Sequence, residues 1–230
     1  MYSNNLETLF LVWFAFVLSL TAHAFGHLTI RNSFGGKKKD KSRDSRNPFM
    51  HVSVISMIVG LLFGFMWAKP VFFNNRLEKN KPVSRQIAFH LSGIAVNLFL
   101  ALVLTLFRFI MSKLFGRPVE FEVGMDQSAA SMFLYRQLSC LISANLFVAF
   151  IALLPLPGMD GFNLLWVFVE KKGIVIKHKV LYSIKAVTLS LFLVFLFYSA
   201  LHYRYPVFEQ YQVLHTLLFG QDTVSQVVFH

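Results

Sequence analysis

The stretch LFLVWFAFVLSLTAHAFGHLTI, Leu9–Ile30, carries two histidines near the end of a long apolar run. A run of about 20 mostly apolar residues is long enough to cross the hydrocarbon core of a membrane as an α-helix. His23 and His27 lie four residues apart, so on a helix they share one face, one turn apart. Ionisable side chains inside a spanning helix are costly and usually face other protein groups. The stretch therefore predicts a membrane helix that presents two imidazoles to the interior of a bundle.

The histidine pair has two interpretations. Two imidazoles at this spacing can bind one zinc ion and leave positions for a third protein ligand and a water molecule. Alternatively, they can pack against other helices and be satisfied by hydrogen bonds alone. Zinc protease helices read H-E-x-x-H, in which the glutamate is the general base for the metal-bound water. This chain has Ala24 at the glutamate position. Because a methyl group cannot accept a proton, we expect the metal site to persist and hydrolysis to be lost.

The composition is that of a membrane protein. Hydrophobic residues make up 56% of the 230-residue chain and include 27 phenylalanines, whereas soluble domains contain roughly 45–50% apolar residues. The single cysteine, Cys140, excludes an internal disulfide framework. The formal net charge is +11, but the basic residues cluster between apolar segments, as expected for cytoplasmic loops. The predicted fold class is an all-α polytopic membrane protein in a lipid bilayer, with no nucleic-acid partner.

Four apolar segments are predicted to cross the membrane fully: Leu9–Ile30, Ile87–Met111, Met132–Leu154 and Leu181–Tyr203. Phe49–Trp67 differs because its two flanks are strongly basic, with a net charge of +5 over residues 31–48 and +4 over residues 68–86. Short basic segments stay in the cytoplasm. Phe49–Trp67 is therefore predicted to be a re-entrant element that returns to the cytoplasmic face, and a full crossing is the alternative.

The loop charges favour one orientation for the whole chain. Residues 113–131 and 204–230 each have a net charge of −1 and are expected outside, whereas residues 170–180 have +3 and are expected inside. The N-terminus then lies outside, and the two histidines lie toward the cytoplasmic side. We expect one membrane-embedded domain over residues 1–230, with the core motifs at 12–169 and a C-terminal helix and tail at 181–230.

Asp160 is an acidic residue that this topology places at the depth of the histidines. It follows the third predicted span in the turn PLPGMDG, where Pro155 and Pro157 stop the helix. A carboxylate that folds back into the bundle would complete a His-His-Asp set with one open position, as in catalytic zinc sites. The alternative is an ordinary turn, since G-x-D-G is favourable turn chemistry. Phe162–Val169 then forms a short apolar segment that is predicted to be membrane-embedded.

Four motifs, in this order, resemble those of the site-2 protease family of intramembrane zinc metalloproteases. They are the H-x-x-x-H span, Trp67-Ala-Lys-Pro-Val71, Ser92-Gly-Ile-Ala-Val-Asn97 and Leu154-Pro-Leu-Pro-Gly-Met-Asp-Gly161. The resemblance covers about residues 12–169 and is to compact bacterial members without an appended domain. It implies Zn²⁺ bound by His23, His27 and Asp160. It also implies a membrane-spanning or membrane-adjacent peptide as substrate and a bacterial cell membrane as location.

The resemblance also implies a substrate-binding role for Ala152, Asn97, Pro155 and Pro157. Ala152 departs from the family pattern, since many members have an asparagine there that is thought to hold the substrate backbone. Ala24 departs from it as well, because it replaces the catalytic glutamate. Ser92, Ile94 and Gly158 differ from the usual alanine and prolines of these motifs, and we interpret them as ordinary drift.

Two classes of function remain open. Ala24 and Ala152 both lack functional groups that the family uses, while the implied metal ligands are all present. This pattern is typical of a protease that was deliberately inactivated to trap its substrate. The alternative is a natural pseudoprotease that binds membrane helices without cutting them. A transporter or channel is disfavoured, because the sequence has neither an inverted repeat nor a chain of intramembrane acids. No oligomeric state is predicted.

Overall fold

The computed structural model describes residues 2–33, 54–63, 82–115, 129–156 and 159–173, together with scattered positions between 180 and 198. Its continuous stretches contain the helices α1 Tyr2–Ser33, α2 Val54–Phe63, α3 Val83–Phe115, α4 Ala129–Leu153 and α5 Asp160–Lys171. Three of them are long and apolar enough to cross a membrane, over Phe10–Ser33, Val83–Leu114 and Phe133–Leu153. The predicted class, an all-α polytopic membrane protein, is confirmed.

The long helices α1, α3 and α4 correspond to three of the predicted spans, but most of their ends lie beyond the predicted bounds. An apolar run marks only the part of a helix inside the hydrocarbon, while the helix itself continues into polar residues. The predicted short segment Phe162–Val169 lies within α5. The fourth predicted span, 181–203, falls mostly outside the described residues, and so does the motif Trp67–Val71.

The helix α2 occupies the middle of the predicted re-entrant element and packs on α1. The Trp13 indole Nε1–H donates a hydrogen bond of 3.1 Å to the carbonyl oxygen of Met57. Trp13 precedes His23 by ten residues, which is about 15 Å along a helix. The described part of this element therefore lies beside the half of α1 that is remote from the histidines. Its flanks lie outside the described residues, so re-entry remains a prediction.

The helices α1, α3 and α4 pack against one another in all three pairs, and α5 packs on α3 and α4. An apolar core joins α1 to α4, with Phe16 and Phe147 in an edge-to-face contact whose ring centroids are 5.7 Å apart. The buried residues of this core are Leu11, Val12, Ala15, Phe16, Val17, Leu20, Cys140, Ala144, Phe147 and Val148. His23 follows Phe16 by seven residues, and α4 ends six residues after Phe147. The two helices therefore reach the same end of the bundle together.

The helix α3 runs antiparallel to α1. Gly26 lies against the backbone of Ser92, and His23 lies against Gly93. Residue numbers therefore increase along α1 in the direction in which they decrease along α3. The opposite face of α3 exposes large apolar side chains, as expected for a surface that contacts lipid. These are Leu98, Phe99, Leu102, Val103, Leu106, Phe107, Phe109 and Ile110.

Candidate metal centre

The two histidines of α1 point into the bundle, toward α3 and α5. The side chains of His23 and His27 are both buried, and their Nε2 atoms lie 3.1 Å apart. The rings meet edge to face, with centroids 4.8 Å apart. This is the arrangement that the four-residue spacing predicted, since positions i and i+4 of a helix are neighbours on one face.

Asp160 is the first residue of α5, and its carboxylate points back at the histidines. Its Oδ2 atom lies 3.0 Å from His23 Nε2 and 3.2 Å from His27 Nε2. The turn that brings it there is tight: a Cβ atom on Gly161 would overlap the carbonyl oxygen of Leu153, the last residue of α4. Glycine is needed after Asp160 because α5 starts in direct contact with the end of α4.

The three facing atoms fit a zinc ion. The nitrogens of His23 and His27 and the oxygen of Asp160 form a triangle with sides of 3.0, 3.1 and 3.2 Å. Tetrahedral zinc with bonds of about 2.0–2.1 Å to nitrogen and oxygen requires ligand atoms about 3.3 Å apart. Among the described residues these three side chains are the group whose ligand atoms lie close enough together to hold a metal ion. Two histidines and one carboxylate also form a common catalytic zinc set, with the fourth position left for water or substrate.

The hydrogen bonding of His27 gives a second reason for a cation at this point. His27 Nδ1 lies 2.8 Å from the carbonyl oxygen of Phe89. A carbonyl oxygen only accepts, so the proton of the neutral ring lies on Nδ1 and Nε2 carries a lone pair. That lone pair faces the Asp160 carboxylate, which is also an acceptor. A cation between the two atoms converts their repulsion into attraction.

The surroundings of Asp160 favour the ionised form of its carboxyl group. Burial acts to raise the pKa of Asp160, but its contacts with the imidazoles of His23, His27 and His90 outweigh burial and hold the pKa well below its usual range. The site thus supplies a fixed negative charge beside two imidazole nitrogens, the combination that binds a divalent transition metal.

One turn of α3, residues 89–93, supports both imidazoles. The Phe89 carbonyl fixes the His27 ring, and the Ser92 hydroxyl donates to the same carbonyl at 2.6 Å while lying 3.2 Å from His27 Nδ1. Gly93 lies under the ring of His23, where an added Cβ would come within 2.6 Å of the ring atoms. His23 Nδ1 is buried and has no hydrogen-bond partner among the described residues. On its α3 side, the His27 ring is therefore held by a hydrogen bond, whereas the His23 ring is held by steric contact with Gly93.

The remaining predicted site residues within the described ranges, Ala24, Ala152, Asn97 and Pro155, have no hydrogen bond to this centre in that part of the chain. Ala24 is 1% exposed, and Ala152 is buried in an apolar cluster with Ile94 and Ala149. Asn97 is fully buried one turn beyond Gly93, and neither polar atom of its side chain has a partner in the described part of the chain. Pro155 is exposed after the end of α4, and Pro157 is outside the described residues. The predicted substrate-binding role of these positions stays a prediction.

Sequence reasoning missed two contributors to the centre, His90 and Ser92. His90 is buried on α3, and its Nδ1 lies 3.3 Å from the second carboxylate oxygen of Asp160, Oδ1. A histidine inside an apolar span is the same signal that marked His23 and His27, so His90 could have been found. Ser92 carried no such signal, because serine is tolerated at many positions in membrane helices and its contact depends on the packing of α3 against α1.

The chain is similar in sequence to a protein that is named as a metalloprotease. The chain is 30% identical over 152 residues to a protein of Bacillus subtilis (strain 168) named "Putative zinc metalloprotease YwhC". The similarity covers 65% of this chain and 64% of that protein, so the chain spans just under two thirds of its relative. No family model matches the chain, and no solved structure matches it.

Proposed function

We propose that this chain is an intramembrane zinc metalloprotease of the site-2 type that is inactive because Ala24 stands in place of the general-base glutamate, so that it binds a membrane-spanning or membrane-adjacent peptide without hydrolysing it. The observation that carries the proposal is the triangle formed by the side chains of His23, His27 and Asp160, with Ala24 next to the first of them. The similarity to a protein named as a zinc metalloprotease supports the same chemistry.

The expected loss of hydrolysis follows from the residue at position 24. When bound, zinc polarises a peptide carbonyl and lowers the pKa of a water molecule. The two imidazoles and the carboxylate hold the ion, and a protease then needs a side chain that takes a proton from the water and passes it to the leaving amine. A carboxylate one residue after His23 would have this role in the family pattern. Ala24 has only a methyl group there, so peptide binding and peptide hydrolysis are uncoupled.

Metal analysis tests the centre itself. The purified protein should contain one zinc ion per chain, and Asp160→Ala should lose it, because that variant removes both the charge and one corner of the triangle. Thr105→Val on α3 is the control. It removes a hydroxyl whose bond is to Ala101 of its own helix, and it should retain zinc. Equal zinc in the protein and in Asp160→Ala would remove Asp160 from the centre.

Restoring the carboxylate tests the reason for inactivity. Ala24→Glu should cleave at least one of a panel of end-labelled single-span peptides in liposomes, whereas the unaltered protein should bind but not cut them. General acid–base help of this kind is worth about 10²–10⁴-fold in rate. Ala24→Gln is the matched control, because it adds the same bulk without a base. Cleavage by Ala24→Gln as well would show that the missing base is not the cause of inactivity.

A second candidate, a natural module that binds membrane helices, is favoured by the packing of Ala152. This residue lies in an apolar cluster with Ile94 and Ala149, and burying an amide group among apolar side chains is costly. The double variant Ala24→Glu with Ala152→Asn separates the two candidates. If it retains zinc and fold, captures the peptides and still cuts none of them, the binding module replaces the inactive protease as the proposed function.

The proposed orientation has the N-terminus outside and the metal centre toward the cytoplasmic side. In a Cys140→Ala background, single cysteines at Ser42 and Ser84 should both be labelled from the cytoplasmic side of sealed vesicles. Both positions lie in or beside the basic segments that flank Phe49–Trp67. Labelling from opposite sides would mean that Phe49–Trp67 crosses the membrane fully.

A further inference from the structure

The two oxygens of the Asp160 carboxylate face different partners. Oδ2 faces the Nε2 atoms of His23 and His27, at 3.0 and 3.2 Å. Oδ1 faces Nδ1 of His90, at 3.3 Å. His90 is buried on α3, and its ring stands nearly perpendicular to that of Phe89. The carboxylate is therefore held from two sides, by α1 and by α3.

We propose that His90 is a positioning residue of the metal centre: its Nδ1–H donates to Asp160 Oδ1 and so keeps Oδ2 directed at the two imidazoles of α1. A carboxylate oxygen only accepts, which assigns the donor role to Nδ1. This inference rests on the proposed metal centre and names a residue of this chain that completes it.

The need for such a residue follows from where Asp160 stands. It is the first residue of α5, and the residue before it, Met159, makes no side-chain capping bond. A carboxylate at a helix end can rotate about its side-chain torsions and present either oxygen, or both, to a metal. A hydrogen bond to Oδ1 removes that freedom and selects binding through Oδ2. Outer partners of this kind orient the ligands of metal sites.

The position of His90 also explains why a single turn of α3 governs the centre. Within residues 89–93, the Phe89 carbonyl contacts the His27 ring, His90 contacts Asp160, and Gly93 contacts the His23 ring. Each of the three candidate ligands thus has its own contact on this turn. The ligands come from α1 and α5, but α3 sets their relative placement.

The geometry favours an outer role for His90 over direct ligation. The set of ligand atoms that lie within 4.8 Å of one another contains His23, His27 and Asp160 and not His90. The Nδ1 atom of His90 lies against Asp160 Oδ1, and not against the Oδ2 atom that belongs to the triangle. Direct ligation is therefore an outcome that the experiment must be able to detect.

Three substitutions of His90 test the inference by metal affinity, measured by competition with a chelator in purified full-length protein. His90→Asn retains an N–H donor at the position of Nδ1, whereas His90→Gln shifts the donor outward by one bond and His90→Leu removes it. We expect His90→Leu and His90→Gln to weaken Zn²⁺ and Co²⁺ binding by about 10–100-fold, the usual effect of losing an outer-shell partner. His90→Asn should bind nearly as tightly as the unaltered protein. The Co²⁺ absorption bands should keep their positions in His90→Asn, in which the hydrogen bond to Oδ1 remains.

Several results would overturn the inference. Unchanged affinity in His90→Leu or His90→Gln would mean that the contact with Oδ1 has no role, and equal weakening in His90→Asn would mean that packing matters rather than the hydrogen bond. Shifted Co²⁺ bands in His90→Asn would make His90 a direct ligand.

Thr105→Val on the same helix is the control and should leave metal affinity unchanged. If His90→Leu does not fold, the difference in metal affinity between His90→Asn and His90→Gln still tests the role of the hydrogen bond. Absence of metal from the unaltered protein would overturn the metal centre as well, whereas metal binding that ignores His90 would overturn this inference alone.

Discussion

The helix α1 makes two interfaces of opposite character. Against α4 it is apolar and broad, with Phe16 and Phe147 at its centre. Against α3 it is polar and close, with Gly26 on the Ser92 backbone, Gly93 under the His23 ring and a hydrogen bond between His27 and α3. Lipid is as apolar as leucine, so helices in a membrane are joined by van der Waals packing, close contacts at small residues and polar bonds. The interface with α4 joins the helices, and the interface with α3 orients the imidazole nitrogens that would bind the metal.

This division implies that stability and metal affinity can be changed separately. Variants at the α4 side should lower the stability of the bundle and spare the metal centre. Variants at the α3 side should weaken metal binding with little loss of stability.

The largest effect is expected from Phe16→Ala. Removing a fully buried aromatic side chain leaves a cavity and typically costs about 3–5 kcal/mol of unfolding free energy. Thermal unfolding in detergent should show a clear fall in Tm. Metal affinity should change by no more than about twofold, because Phe16 lies two turns from His23 and packs in the apolar core with α4. Phe10→Ala, at an exposed position of the same helix, is the control. A loss of affinity as large as the loss of stability would mean that the two interfaces act as one unit.

A smaller effect is expected from Gly93→Ala, and it should fall on metal affinity and not on stability. The new Cβ would lie within 2.6 Å of the His23 ring and force it to move. Alanine is the better helix former, by about 1 kcal/mol, so the substitution should increase the intrinsic helix stability of α3. We expect metal affinity to fall at least about tenfold, as for other disturbances of a ligand's surroundings. Leu98→Ala, on the exposed face of α3, should leave it unchanged. Unaltered affinity in Gly93→Ala would show that His23 can shift freely, contrary to the role assigned to α3.

The smallest effect is expected from Ser92→Ala. The variant removes the hydroxyl beside His27 Nδ1 but leaves the Phe89 carbonyl, which lies nearer to that nitrogen. One hydrogen bond is worth roughly 1 kcal/mol, or about fivefold in affinity, and the remaining bond should keep the loss below that. Competition with a chelator measures this loss of metal affinity, and Ser92→Thr is the control that keeps the hydroxyl. A loss equal to that of Asp160→Ala would make Ser92 a principal part of the centre and not a support for one ring.

Much of the architecture could be predicted from local sequence. Apolar length alone located the three described spans, because the hydrocarbon thickness sets the number of residues that a helix needs. The spacing of His23 and His27 predicted a shared face, because helical periodicity is a property of the backbone. The lack of a carboxylate at position 24, directly after His23, was visible without any structure, because the sequence states the chemical group at each position.

Other features were decided by tertiary packing. Asp160 lies 137 residues from His23 along the chain, and charge patterns could predict its depth but not that one carboxylate oxygen would complete a triangle while the other faced His90. The contact of Gly93 with His23, and of Ser92 with His27, depends on the register of α3 against α1. Register is set by the fit of many side chains at once, and no local pattern encodes it. The sequence by itself thus determined which groups can bind a metal, and the packing of α3 and α5 on α1 decided how those groups are held.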